Sequence, residues 1–260
     1  MAANQWNPAQ YMKGNMGDLR TRPVHDLIAR IPVEGAQRVV DLGCGPGNST
    51  APLKARWPEA AVSGIDSNPA MLEKARASHR DLTFDQGDIS VWRPDGPVDV
   101  IFANASIHWV PEHKTLLPRL LGHLNSGGCL AIQQPNNFAA PSHALIAEVA
   151  DLPDFRDALA GKLVGDFVRD VRFYHDLLRP LTSHLDIWET EYAQPLIGDD
   201  PVLEWVRGTT LLPVRQALSD EAFAAYESIY RQKLRTAYPK APDGTTLFPF
   251  RRMFMVAVPR

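Results

Sequence analysis

Residues 39–50 read VVDLGCGPGNST and decide the fold of this 260-residue chain. The apolar first residues are typical of a strand buried on both faces of a parallel sheet. Glycine then occupies every second position, at Gly43, Gly45 and Gly47, which allows a tight turn and close approach of a ligand to the backbone. Asn48–Thr50 can cap a following helix. The stretch therefore predicts a strand, a turn and a helix arranged to hold a nucleotide-type cofactor.

The acid that precedes this turn helps to identify the cofactor. A dinucleotide-binding turn reads G-x-G-x-x-G, whereas this one reads D-x-G-x-G-x-G, with Asp41 before the first glycine. The difference points away from NAD and towards S-adenosylmethionine, which has no phosphates to be held. An NAD-dependent oxidoreductase would also need a proton-transfer residue with a clear partner, and none is evident. We predict that Asp41, Gly43 and Gly45 belong to a site for S-adenosylmethionine.

Acidic residues after later strands supply the rest of an adenosine site. Asp66 follows a second strand, Ala61–Ile65, and lies nineteen residues after Gly47. A carboxylate there can accept two hydrogen bonds from a ribose diol. A third apolar run leads into Asp88, which can accept the hydrogen bond of the adenine amino group while Ile89 packs on the ring.

Two further side chains complete the predicted cofactor site. Met71 follows Asp66 on the next helix and is expected to cover the ribose or the adenine. The fourth strand, Val98–Ala103, opens into Asn104 at the edge where open α/β sheets present their reactive groups. Asn104 is therefore expected near the methyl group to be transferred.

The rest of the chain alternates strands and helices. Strands are predicted from Val39, Val62, Leu82, Val98 and Cys129, and helices at 21–31, 49–57, 69–79 and 114–124. This alternation predicts an α/β fold with a Rossmann-like, doubly wound, mainly parallel sheet. The last strand, which no helix follows, is expected to be antiparallel. Helices outside the sheet are expected to form a lid over the carboxyl ends of the strands.

The same pattern predicts a single domain over residues 1–260. Its parts are an N-terminal lid and helix at 1–35, a cofactor-binding core at 36–134, mainly helical substrate-lid insertions at 135–184 and 194–250, and closing strands at 185–193 and 251–260.

Composition excludes several classes of function. A formal charge of −3 with no long basic run argues against a nucleic-acid partner. The N-terminus lacks the basic and apolar regions of a signal peptide, and no stretch reaches the roughly 18 consecutive apolar residues of a membrane span. We therefore expect a cytoplasmic protein with no membrane partner. The two cysteines read as packing residues, and the histidines show no metal-ligand spacing, so no metal is expected.

These motifs resemble the class I S-adenosylmethionine-dependent methyltransferases, and nearly the whole chain is similar to a branch of them that methylates a small tricarboxylic acid. The segments that carry the narrower match are Trp6-Asn7-Pro8 with Tyr11, Arg20-x-Arg22-Pro23, DLGCGPGNST, Gly64–Ser67 with Pro69–Met71, Ile101–Ser106 with Trp109, Tyr174 with Asp176, Trp205 with Thr209, and Phe248-Pro249 with Arg252. Two features depart from the pattern: His108 stands where Gln is usual, and residues 151–173 are only loosely similar. The resemblance implies methyl transfer to one carboxylate of trans-aconitate, giving a monomethyl ester and S-adenosylhomocysteine.

The implied chemistry needs no general base, because a carboxyl group with an unperturbed pKa near about 4 is already ionised at pH 7. No catalytic residue is therefore predicted, and catalysis is expected to come from positioning in a water-poor pocket. Arginine suits the spectator carboxylates, since its planar fork forms paired, charge-assisted hydrogen bonds. The predicted substrate-binding residues are Arg22 and Arg252 as clamps, Asn104 and Tyr174 as hydrogen-bond donors, and Trp205 as an apolar wall.

The matched segments also add residues to the predicted cofactor site. These are Tyr11, Arg20, Ser67 and Trp109. Tyr11 is expected to cover the methionine part and Arg20 to hold its carboxylate, although the sequence leaves open which of Arg20 and Arg22 serves the cofactor. We expect a monomer that acts on a small-molecule tricarboxylate.

Other methyltransferase activities remain as alternatives. The strongest is methyl transfer to another small carboxylic acid or to a hydroxyl group. An amine methyltransferase would favour Asn or Asp followed by Pro-Pro and an aromatic residue, but Asn104 is followed by Ala105-Ser106. A catalytically silent cofactor-binding protein is the remaining possibility.

Overall fold

Residues 16–163 and 167–260 are described by a computed structural model. The chain divides into two compact units. We call residues 20–135, 167–190 and 252–260 the sheet unit, and residues 16–19, 136–163 and 191–251 the helical unit.

One sheet joins the seven strands of the described residues, in the order β3-β2-β1-β4-β5-β7-β6. The strands are β1 Arg38–Leu42, β2 Ala61–Asp66, β3 Thr83–Gln86, β4 Val98–Asn104, β5 Leu124–Pro135, β6 Thr182–Ile197 and β7 Thr245–Pro259. Strands β3, β2, β1, β4 and β5 pair in parallel, and β7 pairs antiparallel with β5. The predicted α/β class, mainly parallel sheet and antiparallel last strand are confirmed.

Helices connect these strands and build the helical unit. They are α1 Met16–Ile28, α2 Thr50–Arg56, α3 Pro69–Ser78, α4 His113–Leu121, α5 Pro141–Ala150, α6 Pro153–Leu159, α7 Val171–Leu178, α8 Pro201–Arg207, α9 Leu212–Ala217 and α10 Asp220–Ala237, with short 3₁₀ turns at Ile107–Trp109 and Arg179–Leu181. No helix within residues 16–163 and 167–260 combines the length and the apolar character needed to cross a membrane.

The core of the sheet unit explains why α7 belongs to it. Ile101 on β4 and Leu130 on β5 are fully buried, in one cluster with Tyr174 and Leu178 of α7. Residues 167–184, which the sequence pattern assigns to a lid insertion, therefore group with the sheet. A lid role for 135–184 and 194–250 stays a prediction.

The helical unit has an aromatic core of its own. Phe155 and Tyr226 meet edge to face, with ring centroids 5.3 Å apart, and the Tyr226 hydroxyl donates to the carbonyl of Ile146 at 2.7 Å. Trp205, the predicted apolar wall, is 4% exposed and packs against Phe248 with ring centroids 5.8 Å apart. These contacts make Trp205 part of this core, and its contact with substrate stays a prediction.

The order of the strands marks where a ligand is expected. From β1 the chain winds outward through β2 and β3, and then crosses back to β4 on the other side of β1. The carboxyl ends of β1 and β4, at Leu42 and Asn104, thus flank the point where the winding reverses. Ligands of open α/β sheets bind in the crevice at such a point.

Candidate active site

The glycine-rich turn after β1 adopts the left-handed backbone that its sequence predicts. Gly43, Gly45 and Gly47 have φ angles of +76°, +55° and +89°, a region that residues with a side chain rarely adopt. The N–H groups of Gly43 and Cys44 donate to the carbonyl of Ile65 at 2.7 and 3.1 Å. These bonds fix the turn against the end of β2.

The first two glycines of the turn have different surroundings. A Cβ atom on Gly43 would lie 2.2 Å from Cβ of Ser106 and 3.3 Å from Cδ1 of Ile89. Ser106 in turn donates its hydroxyl to the carbonyl of Leu42 at 2.6 Å. A Cβ on Gly45 would have no described atom within 4 Å beyond its chain neighbours. Three loops therefore meet tightly at Gly43, while Gly45 faces open space that a ligand can fill.

Asp66 stands at the end of β2 beside Gly45. Its Oδ2 accepts the N–H of Gly45 and its Oδ1 accepts the N–H of Asn68, both at 2.8 Å. Burial raises the pKa of Asp66, and these two N–H groups oppose that shift. The backbone N–H of Ser67 also hydrogen-bonds to this carboxylate. A carboxylate can accept about four hydrogen bonds, so Asp66 retains capacity for a further bond from a diol.

Asp41 has an internal role in the structure. Its Oδ2 accepts the hydroxyls of Ser49 and Thr50, both at 2.7 Å, which ties β1 to the start of α2. Ser49 is the N-cap residue of α2, as one of the three predicted candidates, but its side chain makes no capping hydrogen bond. Direct contact of Asp41 with a cofactor stays a prediction.

The burial of Asp41 also links its ionisation to stability. Burial raises the pKa of this carboxyl to about 6, although the two hydroxyl donors lower it. The folded protein thus holds this proton more tightly than the unfolded chain, where an aspartate has a pKa near about 3.9. The stabilisation is largest below the unfolded pKa and is lost as the pH rises towards about 6.

The loop after β3 carries the predicted adenine contacts and is held by an arginine that sequence reasoning missed. Oδ1 of Asp88 accepts both the N–H and the hydroxyl of Ser90, at 2.8 and 2.7 Å. Arg119 of α4 donates to the carbonyls of Ile89 at 2.9 Å, Ser90 at 3.0 Å and Trp92. The sequence could not show this role, because Arg119 binds backbone carbonyls about 30 positions away and no local pattern marks such contacts.

Asn104 ends β4 and is followed by strained backbone. Ala105 has a φ of +52°, which is unfavourable for a residue with a Cβ atom. Its N–H donates to the carbonyl of Gln133 on β5 at 2.9 Å. Strain of this kind concentrates at functional sites. Trp109 is partly exposed in the following 3₁₀ turn, with its ring centroid 4.7 Å from that of His108.

Tyr174 is a buried residue whose hydroxyl is already engaged. It is 2.7 Å from Nδ1 of His113 and accepts the N–H of Arg169 at 3.1 Å. Nε2 of His113 lies 3.0 Å from the carbonyl of Ile107. Because a carbonyl only accepts, Nε2 carries the proton and Nδ1 accepts from Tyr174. Tyr174 and His113 thus hold the turn that carries Trp109. The single O–H of Tyr174 is used in this contact, so the predicted donation to substrate requires its bond to His113 to break.

Arg252 lies on β7 at the carboxyl edge of β5. It is 3% exposed, is the register partner of Pro135, and donates from Nη1 to Oε1 of Gln133 at 3.3 Å. Gln133 was not predicted as a site residue, because the sequence does not distinguish one Gln in an apolar strand from a Gln with no functional role.

The remaining predicted contacts are distributed around the start of two helices. Arg20 of α1 is 7% exposed, whereas Arg22 is exposed. Met71 is buried on α3, and Ser67 is exposed just before that helix. Tyr11 lies outside the described residues.

Metal ligands do not gather in the described part of the chain. Among its residues there is no group of three or more His, Cys, Asp or Glu side chains able to hold an ion.

The strand order, the left-handed glycine turn and the acid at the end of β2 define a class I methyltransferase. A family model described as a methyltransferase domain matches residues 39–128. The curated trans-aconitate 2-methyltransferases of Azoarcus sp. (strain BH72) and Methylobacterium nodulans are 46% and 45% identical to the chain; each match covers 97% of it, and 98% and 97% of those proteins. The chain belongs to the trans-aconitate 2-methyltransferase family, which confirms the resemblance found in the sequence.

The solved structures agree with this assignment at the level of the fold. Phosphoethanolamine N-methyltransferase 2 of Haemonchus contortus, in complex with S-adenosyl-L-methionine, matches with a TM-score of 0.55 and 15% identity, over 92% of this chain and 53% of that one.

Proposed function

We propose that this protein transfers the methyl group of S-adenosylmethionine to one carboxylate of trans-aconitate, releasing a monomethyl ester and S-adenosylhomocysteine. One structural observation carries the proposal: an open glycine turn bounded by Asp66 and a buried Arg252 lie at the same, carboxyl edge of the sheet. Relatives of nearly equal length that bear this activity in their name support it.

The cofactor half of the site fits S-adenosylmethionine in shape and in hydrogen bonding. The open space beside Gly45 admits a ligand, and Asp66 retains acceptors for the ribose hydroxyls. Asp88 and Ile89 are proposed to hold the adenine, because Ile89 packs at the glycine turn and Arg119 holds the backbone on which both stand. Met71, Ser67, Asn104 and Trp109 complete the proposed contacts, with Arg20 and Tyr11 at the methionine end.

When bound, the cofactor would supply a methyl group on a sulfonium. A carboxylate oxygen would attack that methyl carbon in line with the carbon–sulfur bond, and S-adenosylhomocysteine would leave. The carbon–oxygen bond forms as the carbon–sulfur bond breaks, and no proton has to be moved. The protein therefore contributes by orienting the acid and excluding water, since alignment of reactants accounts for a large share of such rate enhancements.

Arginine is proposed to choose the substrate. Arg252 and Arg22, the latter on α1, pair with the two carboxylates that do not react. The third carboxylate is then left able to attack the methyl group. Asn104 is proposed as a hydrogen-bond donor and Trp205 as an apolar wall. Tyr174 is proposed to donate to the acid only when its bond to His113 is given up. We also propose that the protein works as a cytoplasmic monomer on a small tricarboxylate, without a metal, a nucleic-acid partner or a membrane.

Transfer of a labelled methyl group tests the proposal. The purified protein is supplied with methyl-labelled S-adenosylmethionine and trans-aconitate, cis-aconitate, citrate, isocitrate or simple monocarboxylates, and base-labile ester is counted. We expect strong preference for trans-aconitate. Label on another acid in the panel would keep the chemistry and change the substrate, and tight cofactor binding without any ester would contradict the function.

A variant of Arg252 tests its role in the same assay. Arg252→Met should raise the KM for trans-aconitate far more than that for S-adenosylmethionine, because only the acid loses an ionic partner. Equal and small changes in both would remove Arg252 from the substrate site.

A further inference from the structure

Gln133 lies between two residues of the proposed active site. It is the register partner of Asn104 across the parallel β4–β5 pair and of Phe254 across the antiparallel β5–β7 pair. Register partners carry their side chains on the same face of a sheet, and so do residues two apart in a strand. Asn104, Gln133, Phe254 and Arg252 therefore share one face at the carboxyl edge.

The orientation of the Gln133 amide is fixed by chemistry. A guanidinium group has five N–H donors and no acceptor, so the amide atom 3.3 Å from Nη1 of Arg252 must be the oxygen, Oε1. The NH₂ end of the amide is then not the group that contacts Arg252. Within the described residues, Nε2 of Gln133 and Oδ1 of Asn104 are both enclosed and have no hydrogen-bond partner.

Enclosed polar atoms without a partner are rare in folded proteins. Here a donor, Nε2 of Gln133, and an acceptor, Oδ1 of Asn104, stand on neighbouring strands of the same face. The carbonyl of Gln133 also holds the strained Ala105. Gln133 thus links the turn after β4 to Arg252 on β7. Two enclosed polar atoms at this place lack a hydrogen-bond partner among the described residues.

We propose that Gln133 is a positioning and specificity-determining residue for the acid. Its Oε1 orients the Arg252 guanidinium towards a carboxylate of the substrate. Its Nε2 becomes satisfied when the carboxylate arrives and accepts from it. The proposal rests on the proposed function, because it assigns the chemical class of group that this edge recognises: a non-reacting carboxylate of a di- or tricarboxylic acid.

Gln133→Met tests this assignment, because methionine keeps the length of the side chain and removes its acceptor and donor. Trans-aconitate is titrated into the protein loaded with S-adenosylhomocysteine, and the affinity is measured by calorimetry beside the KM in the transfer assay. We expect the affinity and KM for trans-aconitate to worsen about tenfold or more, as for a lost hydrogen bond to a charged group. The dissociation constant for S-adenosylhomocysteine should change less than about twofold, since no cofactor contact is removed.

Gln134→Met is the matched control. Gln134 is the next residue of the same strand and equally buried, but it faces the other side of the sheet and donates to Sδ of Met253 at 3.9 Å. The control should leave the affinity for trans-aconitate unchanged. If Gln133→Met does not fold, Gln133→Asn replaces it, because the shorter amide cannot reach Arg252 and should give the same selective loss.

A double-mutant cycle separates positioning from general damage. If Gln133 acts partly through Arg252, Gln133→Met should have a clearly smaller effect in the Arg252→Met background than in the wild type, and the effect that remains there measures the lost Nε2 contact. Independent effects would multiply in full.

The outcomes are distinguishable. Ester formation by the wild type together with unchanged affinity in Gln133→Met would overturn the role of Gln133 and leave the function standing. Independent, multiplying effects in the cycle would overturn positioning of Arg252. A wild type that neither binds nor methylates trans-aconitate would overturn both proposals.

Discussion

Substituting alanine for Gly43 or for Gly45 should have two different effects: the first mainly lowers the stability of the fold, and the second mainly weakens cofactor binding. Gly43→Ala places its Cβ 2.2 Å from Cβ of Ser106, which is far inside van der Waals contact, and Gly45→Ala places it in open space. Both positions have a positive φ, +76° and +55°, which disfavours alanine by roughly 1 to 2 kcal/mol. Only Gly43→Ala adds overpacking, which is worth typically about 1 to 3 kcal/mol.

The expected loss in free energy of unfolding is therefore about 2 to 5 kcal/mol for Gly43→Ala and about 1 to 2 kcal/mol for Gly45→Ala. Urea titration followed by tryptophan fluorescence measures this difference in the cofactor-free protein. The order should reverse for ligand: Gly45→Ala fills the proposed cofactor space and should weaken S-adenosylhomocysteine by about tenfold or more in calorimetry, or about 1.4 kcal/mol. Equal loss of stability in the two variants, or full affinity in Gly45→Ala, would refute the reasoning.

Three further substitutions test the site. Asp66→Ala should weaken S-adenosylhomocysteine by about 1.5 to 3 kcal/mol, because the ribose diol loses a charged acceptor; calorimetry that finds unchanged affinity would exclude this role. Asp41→Asn keeps an acceptor but cannot ionise, so the wild type should lose about 3 kcal/mol of unfolding free energy relative to the variant between about pH 4 and 7, given a carboxyl pKa raised to about 6. Urea titrations at several pH values measure this difference, and a constant difference would contradict it. Arg119→Ala removes the donor to the carbonyls of Ile89, Ser90 and Trp92. It should weaken the binding of S-adenosylhomocysteine several-fold, while the KM for the acid stays the same. A selective change in the KM for the acid would instead connect Arg119 to the substrate.

Local sequence patterns contain the information for the sheet and for the glycine turn. An apolar strand followed by alternate glycines is typical of a tight turn that holds a ligand. Gly43, Gly45 and Gly47 adopt the positive φ angles that such a turn requires. Asp66 could be placed for the same reason, because a strand end is visible in the sequence and all parallel strands end at one edge. The strand bounds were less accurate: β5 begins at Leu124, five residues before Cys129, where the sequence pattern placed its start.

The sequence by itself thus determined the α/β class, the cofactor turn and the family, since each depends on residues close together in the chain. The tertiary structure decided which side chains touch. Arg252 and Gln133 are 119 positions apart, Arg119 reaches a loop about 30 positions away, and His113 meets Tyr174 across 61 positions. No periodicity records such pairs, because strand register and helix packing create them only when the chain has folded.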